Sequence, residues 1–328
     1  MNQTPSPGHQ PVMPEEVVEA FQTIPNGTIV DATYGGGGHS RLLLAAGGPE
    51  RRILAIDQDP AVRDPVNRMD EPDQAVDRLT LVTDNFRRLR QIAEELSLDA
   101  IVGILFDLGF SSLQMDDPAR GFSYRSEGPL DMRLGRPTHP DASSSEHRRG
   151  GAGAAHGWRT AAEIVNEADV GELTRIIDRY GEEPMAGRVA RAIVKSRPIA
   201  TTTELASIIS DAIPAALKRT RHPARRTFQA LRIAVNDELE ALSEGLDAGL
   251  DLLAPGGRIA VLSYHSLEDR IVKRAFRKRS EPDDGLMPVV SVEPSFREIN
   301  RRPLRPGDDE IASNPRARSA RLRVAERL

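Results

Sequence analysis

Three acids and a run of glycines are the residues in this chain whose types and spacing could do chemistry. Asp31 closes the apolar pair Ile29-Val30, and Ala32-Thr33-Tyr34-Gly35-Gly36-Gly37-Gly38-His39-Ser40 follows it. A second apolar run, Ile53 to Ile56, ends in Asp57. This order is that of a β-turn-α-β unit built to take a nucleoside. Glycines let the backbone adopt positive φ and approach a ligand closely. The helix after them presents free N–H groups to a carboxylate or phosphate. An acid ending the next strand can accept hydrogen bonds from both ribose hydroxyls. An idle turn of four glycines would cost roughly 0.5–1 kcal/mol for each, relative to alanine.

The spacing narrows the ligand. The dinucleotide fingerprint G-x-G-x-x-G fails from every glycine of the run, since Ser40 and Leu42 stand where the third glycine would be. A phosphate-cradling loop needs Gly-Lys-Ser/Thr, and the first lysine in the chain is Lys195. S-adenosylmethionine suits the pattern better: it has no phosphate, an ammonium that favours a carboxylate such as Asp31, and a carboxylate that favours backbone N–H groups. The third acid, Asp107, closes the run Ile101 to Phe106 and leads into Leu108-Gly109-Phe110-Ser111-Ser112. A carboxylate there could bind the cofactor's amino group. It could equally accept N–H bonds from an exocyclic base amine, localise its conjugated lone pair and later take its proton.

The elements that must position these groups recur. Strands are expected at 28–33, 52–57, 79–83 and 101–107, with helical stretches at 14–23, 41–46 and 86–96 between them. Such alternation implies an α/β fold with a doubly wound, mostly parallel sheet, in which ligands sit at the carboxyl ends of the strands. The alternation breaks after residue 109. Residues 135–158, rich in Gly, Ser, Pro, His and Arg, read as a disordered loop anchored by Trp158. Three helical patterns follow, opened by the capping boxes Thr160…Glu163 and Thr201…Glu204 and, between them, Met185 to Ser196. The expected division is 1–115 with 223–328 as the ligand-binding domain and 116–222 as an inserted, mainly helical one. Phe228 to Leu253 reads as one long amphipathic helix, Arg258 to Ser263 as a strand, and 289–292 and 320–324 as the last two strands.

Composition sets bounds. The chain of 328 residues has no cysteine, so disulfides, thiolate metal sites and a cysteine nucleophile are excluded; no metal site is expected. No membrane span or basic-then-apolar leader is visible, and a soluble cytoplasmic protein is expected. The net charge of −5 hides an asymmetry: residues 270–328 carry +6 and the rest −11. A second basic cluster holds Lys218, Arg219, Arg221, His222, Arg225 and Arg226, and 40 of the 44 basic residues are arginine, which grips phosphate and stacks on bases. Both clusters point to RNA.

At these residues the chain resembles the bacterial small-subunit (16S) ribosomal RNA cytosine-N4 methyltransferases. The resemblance rests on Asp31 to Ser40, Ala55-Ile-Asp-Gln-Asp-Pro60, Asp107 to Ser112, Gly121-Phe-Ser, Gly128-Pro-Leu-Asp-Met-Arg133, Arg188 to Ile193, Arg226 to Arg232, Ser263 to Arg270 and Asn314 to Ser319. It implies a class I, Rossmann-like methyltransferase that uses S-adenosylmethionine to methylate a cytidine in the decoding region, as RNA or in the assembled subunit. It further implies Gly37, Gly38 and His39 along the cofactor, Asp57 on its ribose, Phe86 against its adenine, and Asp107 and Gln114 completing the pocket. His265 and Ser266, after the fifth strand, and Asn314, Arg316 and Arg318 are candidate substrate contacts. Phe110 and Tyr34 stand where the family is expected to have an aliphatic residue and a phenylalanine. The Asp/Ser/Asn-Pro-Pro-aromatic motif of other N4-amine methyltransferases is absent, which leaves the proton acceptor open. A different methyl acceptor, or a non-catalytic RNA-binding assembly factor, remain the competing readings, and a homodimer is neither required nor excluded.

Overall fold

A computed structural model describes residues 10–62, 76–98, 100–109, 115, 117–135, 159–217, 222–281 and 293–328. Its contacts divide the chain into two compact units, Met1–Gly109 with Ala241–Leu328, and Phe110–Glu240.

The first unit is a seven-stranded sheet: β1 (Thr28–Asp31), β2 (Arg52–Asp57), β3 (Leu79–Thr83), β4 (Ile101–Asp107), β5 (Leu253–Ser263), β6 (Phe296–Glu298) and β7 (Arg321–Arg327), in spatial order β3-β2-β1-β4-β5-β7-β6. Strands β1 to β5 run parallel, and β7 and β6 close the edge antiparallel. Helices α1 (Pro14–Ala20), α2 (Gly38–Ala46) and α3 (Leu89–Glu95) fill the early connections. Central strands in such a sheet are covered on both faces, so their sequences are continuous apolar runs instead of alternating ones. Alternate residues feed two cores. Val30, Leu54, Ile56, Ile104, Phe106 and Val261 pack into one cluster, while Ile29, Ile53, Ala55, Leu105, Ala260 and Leu262 pack into the other. Chain order runs outward from β1 to β3 and then returns to β4 on the other side of β1. That switch point lies between β1 and β4, where open α/β sheets bind ligands.

Two late-strand expectations shift. The last strand is Arg321–Arg327, and its neighbour is Phe296–Glu298; 289–292 lies outside the described residues, as do Lys218, Arg219, Arg221, Gln114, Trp158, Phe110 and the loop from 136 to 158.

The second unit is helical: α4 (Ala161–Glu167), α5 (Val170–Gly181), α6 (Ala186–Lys195), α7 (Thr202–Ala212) and α8 (Ala224–Asn236), around a core that includes Ile164, Leu173, Ile177, Val189, Ile193, Leu205 and Leu231. Thr160 and Glu163 form the reciprocal capping box. Thr201 accepts from Glu204 N–H as expected, but the Glu204 carboxylate takes the N–H of Ala200 instead of that of Thr201. A separate helix, α5, starts at the N-cap Asp169, which the spacing of apolar residues does not distinguish from its neighbour.

The single helix expected over 228–253 is two. Asp237, at φ 50°, breaks it into α8 and α9 (Glu238–Leu252), and the boundary between units falls at 240/241 instead of 222/223. The apolar period runs through the break, so periodicity could not show it. Side chains fix the turn: Arg232 pairs both guanidinium arms with Glu238 at 2.8 Å, and Asn236 accepts from Leu134 N–H and donates to Met132 O, each at 2.8 Å. At the other crossing the division comes at 109/110, ahead of the expected 115/116. Among the described residues no helix is long and apolar enough to cross a membrane.

Candidate functional site

Asp31, Asp57 and Asp107 end three strands that are adjacent in the sheet, β1, β2 and β4. Asp31 is opposite Ala55 and Leu105, so Asp57 and Asp107 project two residues beyond it on either side. The notch above Asp31 is filled by the glycine turn. Gly35 (φ 52°) and Gly37 (φ 69°) both adopt left-handed backbone. At Gly37 a Cβ would fall 2.4 Å from the Tyr34 hydroxyl oxygen, so the turn and the buried Tyr34 ring require each other.

The turn delivers α2 with no side-chain cap on its first N–H groups among the described residues. Its N-cap is Gly37, which has no side chain to offer, and no acid stands in the first turn. Such an end carries partial positive charge and unsatisfied donors. Beneath it, Asp31 is 1% exposed and takes a 2.6 Å hydrogen bond from Ser40 Oγ. Burial pushes its carboxyl up from the ordinary range, against the bond from Ser40 and the charge of His39.

Asp57 is held by the chain it follows and the chain it faces. Its Oδ2 accepts from Gly35 N–H and its Oδ1 from Asp59 N–H, both at 2.8 Å. Burial nevertheless raises its pKa to about 6. Each oxygen keeps a further lone pair, which is what a ribose diol needs. Beyond β3, Asn85 caps the 3₁₀ turn Phe86–Arg88 and donates to Gln58 Oε1 at 2.8 Å, tying the β2 and β3 ends together. Phe86 is half-buried, edge-on to Phe106 with ring centroids 5.4 Å apart. A Cβ at residue 245 would lie 2.8 Å from its Cδ2, so Gly245 of α9 is what admits the ring.

Among the described residues, three side chains meet Asp107. Its N–H donates to Thr33 Oγ1 at 2.6 Å, Tyr264 Oη donates to its Oδ1 at 2.6 Å, and His39 Nε2 lies 3.5 Å from its Oδ2. The His39 ring is buried, yet neither nitrogen makes a hydrogen bond among the described residues. Burial opposes its charge, but the carboxylates of Asp107, Asp31 and Glu310 outweigh that and raise its pKa.

The structure therefore brings Gly37, Gly38, His39, Asp57 and Asp107 to one edge, with Phe86 at its β3 side. Of the remaining candidates, His265 is the N-cap of α10 (Ser266–Ser280): it accepts from Glu268 N–H and forms a capping box, so its ring is engaged by its own helix. Ser266 is the first residue of that helix. Asn314 is buried and donates to Gln10 O at 3.4 Å, between α11 (Asp308–Ser313) and the 3₁₀ turn Pro315–Ser319, on which Arg316 and Arg318 are exposed. Tyr264, Thr33 and Ser40 are site residues that sequence reasoning misses. Each lies within nine residues of a candidate acid or directly beside His265, but nothing in spacing says which atoms they reach.

The donor set suits S-adenosylmethionine: acids for ribose and ammonium, a helix end for a carboxylate and an aromatic edge for a base. A model of the MraW methylase family matches residues 6–146 and 154–328. Ribosomal RNA small subunit methyltransferase H of Heliobacterium mobile is 46% identical over 331 residues, covering 98% of this chain and 99% of that one. The protein of the same name from Geobacter sulfurreducens is 44% identical over 335 residues, with 98% and 99% covered. Among solved structures, an rRNA methylase from Streptococcus thermophilus aligns over 96% of this chain and 93% of that one, at 12% identity and a TM-score of 0.39.

Proposed function

The chain belongs to the MraW methylase family and is an S-adenosylmethionine-dependent methyltransferase, and on that premise we propose that it methylates the exocyclic N4 of a cytidine in the decoding region of small-subunit ribosomal RNA. The observation that carries this reading is the row of three acids at the switch point, flanked by an uncapped helix end. When bound, S-adenosylmethionine supplies a methyl group on a positively charged sulfur. The N–H groups that open α2 would hold its carboxylate, Asp31 would face its ammonium, Asp57 would take the ribose hydroxyls and Phe86 would border the adenine.

Asp107 acts on the acceptor. Its carboxylate receives an N–H of the cytosine amine, draws the nitrogen lone pair out of conjugation with the ring, and takes the proton released once N4 has gained the methyl group. Most of the acceleration comes from alignment, worth up to about 7–11 kcal/mol for well-oriented reactants. The exposed arginines Arg316 and Arg318, with Asn314, Ser266 and the helical unit, hold RNA; the relatives' shared name, which specifies small-subunit ribosomal RNA, supports an RNA partner.

The test is methyl transfer from labelled S-adenosylmethionine to small ribosomal subunits purified from a strain lacking this gene, followed by nucleoside separation. Label in N4-methylcytidine is expected. Label in another nucleoside or in protein would leave the cofactor reading standing and remove the acceptor.

A further inference from the structure

We propose that Tyr264 is the positioning residue of this site: its phenol holds the Asp107 carboxylate by Oδ1, so that Oδ2 is the oxygen offered to the acceptor amine. The inference rests on the reading of Asp107 given above and adds the residue that aims it.

The geometry is specific. Tyr264 follows the last residue of β5, and Leu108 N–H donates to Leu262 O at 3.0 Å, locking the end of β4 to the end of β5. The Tyr264 backbone N–H is itself fixed by Glu268 Oε2 at 2.8 Å. Its ring packs against Gly109, where a Cβ would stand 3.6 Å from Cδ2, and Gly109 has φ 115°, a conformation closed to other residues. The phenol then reaches Asp107 Oδ1 at 2.6 Å, the short distance of a hydrogen bond to a carboxylate. Thr33 Oγ1 anchors the Asp107 backbone from the opposite side. The carboxylate is thus held at one oxygen and at its main chain, and its other oxygen faces the His39 ring at 3.5 Å.

The charged groups around the phenol all favour its staying a donor. Burial and the carboxylates of Asp107, Glu268 and Glu310 push its pKa well above the ordinary value. A tyrosine with no catalytic contact of its own, whose hydroxyl is committed to the one carboxylate that meets the substrate, acts through that carboxylate. Alignment is where such a residue contributes, because a small misplacement of a reacting group lowers the rate without weakening ground-state binding.

The experiment compares wild type, Tyr264→Phe, Asp107→Asn and the double variant in methyl transfer to unmodified small subunits, with melting temperatures measured in parallel. Wild-type transfer to cytidine N4 is the control on the underlying reading, and its absence removes that reading and this one together. Given transfer, Tyr264→Phe is expected to lower kcat about tenfold with KM for S-adenosylmethionine within about twofold. Added to Asp107→Asn it is expected to cost almost nothing more, the mark of two groups acting as a unit. A rise in KM with kcat unchanged, losses that multiply in the double variant, or no effect would each overturn the proposal. Should Tyr264→Phe melt lower than wild type, kcat is compared at a temperature at which both proteins are folded, where the tenfold loss is still expected and a kcat equal to wild type would overturn the proposal.

Discussion

The carboxyl edge of the sheet and the surface of the helical unit handle charge in opposite ways. At the sheet edge, Asp31 is buried and Asp57 sits with its pKa raised to about 6, both tethered by backbone or hydroxyl donors, while the buried His39 ring stands 3.5 Å from Asp107 Oδ2. In the helical unit, acids open helices, as with Asp169, Glu163 and Glu204, the buried Arg232 is paired with Glu238, and several cations stand exposed. Arg188, Arg191 and Lys195 stand exposed on one face of α6, and the first and last of them border a groove of about 450 Å³ floored by Ala192, Ile208 and Ala212. Burying a charge is expensive unless it is paired, so the sheet edge stores free energy that a ligand can release. An exposed cation costs little and binds only through screened, additive attraction. One region should therefore fail steeply when a single atom changes, and the other gradually.

The steepest loss is expected at Asp107. Asp107→Asn should lower kcat by about 10²- to 10⁴-fold, the range for removing a general acid–base group, with little change in melting temperature. A loss under tenfold would take Asp107 out of the chemistry and equalise the two regions.

Gly37→Ala comes next. The residue combines φ 69° with a Cβ position 2.4 Å from the Tyr34 hydroxyl oxygen. Destabilisation by about 1–3 kcal/mol and loss of cofactor binding are expected in thermal melts with and without S-adenosylmethionine. An unaltered melt would mean that the turn is looser than its geometry implies.

The pH dependence sharpens the contrast. As pH falls through about 6, Asp57 takes a proton and its hold on the ribose weakens, so cofactor affinity should fall on the acid side. The sign for stability is opposite. The folded-state value lies above the unfolded 3.8, so the ionised carboxylate costs stability above about pH 6, and that cost is relieved as pH drops toward 3.8. The melting temperature of Asp57→Asn relative to wild type should accordingly move in the variant's favour as pH rises from 3.8 to about 6, and hold level above that.

The smallest effects belong to the helical unit. Replacing Arg188, Arg191 and Lys195 with alanine should reduce the dependence of RNA affinity on salt, by about 0.7 in log–log slope for each phosphate of a single strand that is no longer neutralised. An unchanged slope in filter binding would leave α6 as solvated surface.

The same contrast explains what could be read from sequence. The acids and glycines were legible because each answers a backbone demand that local sequence must meet: a strand end, a left-handed turn, a free helix start. The parallel sheet is legible in the alternation of strand and helix patterns. Tyr264 was not legible, because its partner is 157 positions away and no period links them. The break at Asp237 was hidden by an apolar repeat that continues across it, and is enforced by Arg232, Glu238 and Asn236, whose partners only folding reveals. His265 reads in sequence as a candidate substrate contact, and its role as the N-cap of α10 depends on Glu268 three residues on.

The central claim is that the buried acids of the sheet edge form the S-adenosylmethionine site. The most direct test is calorimetric titration of S-adenosylmethionine into wild type and Asp57→Ala near neutral pH. A tenfold or greater loss of affinity is expected, matching the ~1.5–3 kcal/mol of hydrogen bonds to a charged group. Equal affinity in the two proteins would contradict it.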